Sequence, residues 1–278
     1  MKEEIRQLIA KAPQPLLAKS LVREYCQARI LQFLQGRGVF RTWVFHGGTA
    51  LRFLYMLPRY SEDLDFALDR PAALPDFEKI VIAVSRSFEA DAYNIETKVN
   101  DKAAVKSAFI RFPGLLYELG LSPQRSQSVS IKIEIDCNPP SGGLTETSVI
   151  RRYVMLNVLH YDKATFFSGK LHAILARPYL KGRDLYDLFW YLSDSSWPDP
   201  NIKFLDEALR QTKWDGPEIS KSNWALLTAE RLKNINWTKV VEDVRPFIEK
   251  TTELSILTRE NIEKLLKGRC SQSWSPKV

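Results

Sequence analysis

The stretch His46–Phe66, HGGTALRFLYMLPRYSEDLDF, decides how the rest of the chain is read. The glycine pair Gly47-Gly48 interrupts an apolar run and opens a helical stretch, Thr49 to Leu57, that Pro58 ends. The segment DLDFAL then alternates as a strand, which puts Asp63 and Asp65 on one face. Like charges so placed repel. A bound dication reverses that cost, because it makes paired carboxylates favourable. At a rise of ~3.3 Å per residue the two carboxylates stand about 7 Å apart along the strand. A third from a neighbouring strand could close a metal cage.

The later segment SVSIKIEIDC offers that third group. Ile131, Ile133 and Ile135 share one face, while Lys132, Glu134 and Asp136 share the other. Either Glu134 or Asp136 could supply the carboxylate. Gly47-Gly48 before a helix lets backbone N–H groups approach an anion, helped by the helix dipole. Thr49 and Ser61 add hydroxyl donors at the two ends of the segment. Taken singly, each piece has a plainer reading: a turn at the glycines, an exposed acidic strand, a serine capping the chain. The combination of strand, Gly-Gly, helix and acidic strand, followed by a second acidic strand face, points instead to metal-assisted chemistry on phosphate.

Around this centre, Leu16–Leu34 carries apolar residues at helical spacing and is stopped by Gly36 and Gly38. TWVF reads as a strand, FEKIVIAVSRSFEA as a helix, and NIETKV and SAFIRF as strands. From Thr165 onward helical pattern dominates: KLHAILARPYL, RDLYDLFWYLS, NIKFLDEALRQ, NWALLTAERLKNI and TRENIEKLLKGR. Ser193–Pro200, SDSSWPDP, has the composition of a linker. The fold class expected is α+β, with an α/β core over residues 1–160 and a helical part over 161–278.

The net charge of +7 over 278 residues favours an anionic partner. It is concentrated: Thr147–Arg183 holds seven Lys/Arg against Asp162 alone, whereas the chain from Ser195 onward is nearly balanced. Cys26, Cys137 and Cys270 stand far apart with no CxxC pair and are expected to be reduced thiols. The N-terminal residues lack the apolar core of a signal peptide, and no apolar run approaches bilayer length, so a cytoplasmic location without membrane contact is the default. His160 and His172 have no metal-ligand partners at useful spacing, and no Ser/His/Asp or Cys/His constellation stands out. His46 reads as structural, with nucleotide contact as the alternative, and most of the seven tryptophans read as core, any one of which could instead stack on a base.

The residues FHGGTALRFLY…PRYSEDLDF resemble the signature of the AbiEii/AbiGii-type nucleotidyltransferase toxins, within the DNA polymerase β-like superfamily. That superfamily's glycine and acidic motif is filled here by Gly47, Gly48, Asp63 and Asp65, and an Arg-x-Ser-x-Asp-x-Asp form by Arg59, Ser61, Asp63 and Asp65. SGKLHAILARPYLKGRDLYDLFWYL is similar to the family's later lysine and acidic motifs, with Lys170, Lys181, Arg183, Asp184 and Asp187. The resemblance runs from about Leu21 to Leu192.

It implies a polymerase β-like core, a short mixed sheet flanked by helices. It implies Mg²⁺ (or Mn²⁺) at Asp63, Asp65 and a third carboxylate. Glu134 is favoured over Asp136 because the family's later strand resembles the pattern around it. Gly47, Gly48, Thr49, Ser61 and Lys170 would bind the NTP, and Asp184 or Asp187 would orient Lys170 or act as a base. It further implies the 3′ end of tRNA as acceptor, with translation blocked, and a cognate antitoxin of a type IV-like or phage-abortive system. In some members the antitoxin is a kinase acting on a serine, for which Ser61 is the candidate. A monomer is expected. The alternatives are transfer to a small molecule or a protein, or a non-catalytic nucleotide- or RNA-binding chain.

Overall fold

Strict alternation sets the central strand. In Val129–Asp136 the residues Val129, Ile131, Ile133 and Ile135 are buried, and the residues between them are half-buried. The computed structural model describes residues 2–12, 14–69 and 76–269. Cys270 lies outside them. The described residues within 1–139 and 145–160 form one compact unit, and those within 140–144 and 161–278 form a second.

In the first unit the order is α1 (Lys2–Ile9), α2 (Pro15–Gly36), β1 (Trp43–His46), α3 (Gly47–Tyr55), β2 (Leu64–Leu68), α4 (Phe77–Ala90), β3 (Glu96–Asn100), β4 (Val105–Phe112), α5 (Leu115–Glu118), β5 (Val129–Asp136), β6 (Thr145–Arg151) and β7 (Met155–Tyr161). The sheet is mixed, with spatial order β3-β4-β5-β2-β1-β7-β6. β2 runs parallel to β5 and antiparallel to β1, and β7 runs parallel to β1. Strands β6 and β7 were not legible as strands in the sequence. α3 ends at Met56, which turns left-handed at φ 60° two residues before Pro58.

One buried ionic cluster fastens this unit. Glu24 of α2, only 2 % exposed, receives Arg52 of α3, Arg152 from the β6–β7 turn at 2.8 Å and the Tyr153 hydroxyl at 2.6 Å. Burial, with the Glu24 carboxylate beside it, pushes the Tyr153 hydroxyl's pKa well up, so it stays a donor. Removing the carboxylate would strand a fully buried guanidinium. Glu24→Ala is therefore expected to lower unfolding free energy by about 3 kcal/mol, read from urea denaturation. The Cys26 thiol nearby is buried and raised to about 12, which makes it inert.

The second unit is helical: α6 (Lys163–Ala176), α7 (Gly182–Leu192), α8 (Ile202–Gln211), α9 (Trp224–Leu232), α10 (Trp237–Val244) and α11 (Arg259–Gly268). Asp162, Asn201, Asn236 and Thr258 cap α6, α8, α10 and α11 by accepting a first-turn N–H. The segment Ser193–Pro200 does not link domains. Trp197 is buried against Tyr191 and Trp190, and Arg269 donates to the carbonyls of Trp197 and Asp194. Among the described residues no helix is long and apolar enough to cross a membrane.

Candidate active site

The β-sheet register assembles the acidic face of the first unit. His46 pairs Asp65, Asp65 pairs Glu134, and Glu134 pairs Ser107. Directly paired residues point to the same side of a sheet. His46, Asp65, Glu134 and Ser107 thus form one row across β1, β2, β5 and β4. Asp63 stands immediately before β2 and is half-buried. Asp136 lies in the next row, between Ala67 and Val105, and its carboxylate accepts the Asn138 N–H at 2.9 Å. The register therefore puts Glu134, not Asp136, beside Asp65. Glu134 is held at 2.6 Å by Lys132, which shares its face.

The glycines are as constrained as a close anion contact requires. Gly47 has φ +79°, and a Cβ there would sit 2.2 Å from Asp65 Oδ2. A Cβ on Gly48 would meet the Arg59 guanidinium at 2.7 Å and Ser61 Oγ at 3.0 Å. Arg59 is 2 % exposed and donates to the Tyr60 carbonyl at 2.9 Å. A guanidinium, a hydroxyl and the first turn of α3 thus converge on Gly48, all of them suited to an anion. Thr49 is fully buried, and its hydroxyl donates to the Asp63 carbonyl, tying α3 to the start of β2.

A second cluster lies in the helical unit. Asp184 and Asp187, three apart on α7, present one face. Lys170 of α6 reaches Asp187 at 2.6 Å and Asp184 at 3.4 Å, and Arg177 reaches the other oxygen of Asp184 at 2.6 Å. The Asp187 side chain has no solvent exposure. Arg183 instead lies over the Phe247 ring at 4.4 Å. Gly182 opens α7 because a Cβ there would strike the Val240 carbonyl of α10 at 2.2 Å. His160 is buried against Ser148 Oγ, and His172, its pKa lowered by burial, meets Thr212.

Lys132 and Arg59 are the residues that reasoning from the motif undervalued. Alternation already put Lys132 beside Glu134, and Arg59 stood out as a cation between a helix-ending proline and the acidic strand. Asp63 just before β2, Asp65 on it and Glu134 on the neighbouring β5 carry the hard oxygen donors that a divalent metal takes. Among the described residues no three such groups are closed into a cage, and Glu134 is paired with Lys132.

The first strand of the mixed sheet runs through a glycine pair into a helix, and carboxylates stand at the start of the next strand. The fold is shared with JHP933 from Helicobacter pylori, at 18% identity and TM-score 0.54 over 90% of this chain and 91% of that one. It is shared too with MenT4, a nucleotidyltransferase toxin from Mycobacterium tuberculosis, at 15% identity and TM-score 0.54 over 94% and 89%. No curated protein matches the sequence. The chain belongs to the AbiEii family, described as nucleotidyl transferase AbiEii toxin of type IV toxin–antitoxin systems, whose model matches residues 29–266.

Proposed function

We propose that this nucleotidyltransferase toxin transfers a nucleotide from an NTP to the 3′ hydroxyl of tRNA and thereby blocks translation. The observation that carries the transfer chemistry is the row His46, Asp65, Glu134 with Gly47 pressed against Asp65. Asp63, Asp65 and Glu134 would hold Mg²⁺ (or Mn²⁺), which when bound neutralises the triphosphate and lowers the pKa of the attacking hydroxyl. The chain's own groups do the rest. The hydroxyl oxygen forms a bond to the α-phosphorus, the bond from that phosphorus to the bridging oxygen breaks, and pyrophosphate leaves. Gly47 and Gly48 let backbone N–H groups approach the phosphates, with Ser61 and Arg59 donating beside them. Thr49 acts through Asp63, whose position it fixes. Within the second unit Lys170, held by Asp184 and Asp187, is a positioned cation, and the proton of the attacking hydroxyl passes to water.

The tRNA acceptor follows from the family resemblance, and the basic surplus of Thr147–Arg183 suits such a polyanion. A cognate antitoxin is expected, with Ser61 as the hydroxyl to modify if it works by phosphorylation, since a phosphate there would fill the space beside Gly48. The test incubates the protein with Mg²⁺, each labelled NTP in turn and total tRNA. Label is expected in tRNA, lost with chelator and restored by Mg²⁺ or Mn²⁺. Folded protein with Mg²⁺ that labels no RNA would sink the tRNA reading.

A further inference from the structure

We infer that Tyr179 is a stacking platform for an unpaired base of the RNA acceptor, an inference that rests on the acceptor being RNA. α6 stops at Ala176, before Pro178, and Arg177–Lys181 leads into α7. At its centre Tyr179 is 85% exposed, the most exposed large hydrophobic side chain among the described residues. Such a ring gains nothing from the fold, because it buries almost no surface.

The loop that displays it is held, not loose. Arg231 of α9 donates to the carbonyls of Arg177 at 2.7 Å and of Pro178 and Ile174 at 3.4 Å, capping the C-terminal end of α6. Arg177 is anchored to Asp184 at 2.6 Å, and Asp184 also pairs Lys170. An aromatic ring on a fixed backbone loses little entropy when it stacks, so it is pre-organised for a ligand.

The surroundings select the ligand's chemistry. Two residues to either side of Tyr179 in the loop stand the cations Arg177, which also pairs Asp184, and Lys181. Lys181 is exposed, and the Arg177 side chain is 46% exposed. An aromatic face flanked by cations suits single-stranded nucleic acid, whose bases stack while phosphates meet the charges. Several other described aromatics are buried or covered. Trp43, Trp197 and Trp224 are buried, and the ring of Tyr117 is covered by Arg125 at 4.7 Å. Among the described residues no ring or cation is stacked on Tyr179.

Tyr179→Ala and Tyr179→Phe are compared with the parent protein for affinity toward a short single-stranded RNA and toward total tRNA, and for KM and kcat of labelled transfer. Because the side chain is exposed, both variants should melt with the parent. Alanine is expected to weaken RNA binding about tenfold and to raise the KM for RNA without changing kcat. Phenylalanine, which keeps the ring, should retain parental affinity. Parent protein that labels RNA while the alanine variant binds it equally well overturns the stacking role alone. An alanine variant that keeps RNA affinity but loses binding to the cognate antitoxin also overturns it and assigns the loop to a protein partner. Parent protein that labels no RNA overturns the acceptor reading first.

Discussion

Asp65→Asn is expected to cut nucleotide transfer by about 10³-fold or more and to end growth arrest when the protein is expressed. The amide keeps the size and shape of the carboxylate, so the contact with Gly47 and the place between His46 and Glu134 survive. What is lost is the negative charge. A metal ligand at the reacting phosphate is worth several kcal/mol of transition-state stabilisation, and each 1.36 kcal/mol is about tenfold in rate. A readout independent of turnover follows from linkage. A ligand that binds only the folded protein raises its melting temperature with concentration. Mg²⁺ should therefore raise the Tm of the parent protein and leave that of Asp65→Asn unmoved. Toxicity that persists in the folded variant would point to binding without catalysis.

Asp65 was legible from its motif, but its neighbours were legible only in part, and the reason is register. Alternation puts Lys132, Glu134 and Asp136 on one face of β5 without saying what lies beside each. That depends on how β5 pairs with β2, which no local pattern encodes. The pairing of Asp65 with Glu134 and of Ala67 with Asp136 separates two carboxylates that look equivalent in the sequence. Strand β6 hid for a different reason. It is a sheet edge, and only Ile150 of its residues is buried, so its sequence TETSVIR shows no alternation. In β7 the buried His160 sits where the pattern calls for an apolar residue. The segment SDSSWPDP misled through composition, since its polar residues and prolines mask the one tryptophan that anchors it. The helices α2 and α4, by contrast, carry long apolar repeats with clear ends, and local pattern suffices.

Gly47→Ala is expected to be nearly as damaging to transfer as the loss of Asp65, although alanine adds only a methyl group. Two costs combine. At φ +79° any side chain is strained, which lowers stability by about 1–3 kcal/mol. The new Cβ would also lie 2.2 Å from Asp65 Oδ2, 2.9 Å from its Cγ and 3.0 Å from its Cβ. Rotating the carboxylate away relieves the first two contacts but not the third, so either Asp65 swings out of its row or β2 and α3 separate. The neighbouring Gly48→Ala is milder for the fold, because the atoms it meets are the far ends of Arg59 and Ser61, which can shift. The two glycines therefore differ in kind: Gly48 makes room for the Arg59 and Ser61 side chains, and Gly47 makes room for the Asp65 carboxylate itself. This can be measured with a double-mutant cycle. If Gly47→Ala acts through Asp65, adding it to Asp65→Ala should cost no further transfer activity, while the backbone strain at position 47 should still appear in urea denaturation. Gly47→Ala protein that transfers nucleotide at the parental rate would show that the close approach of this glycine to Asp65 plays no part in the reaction.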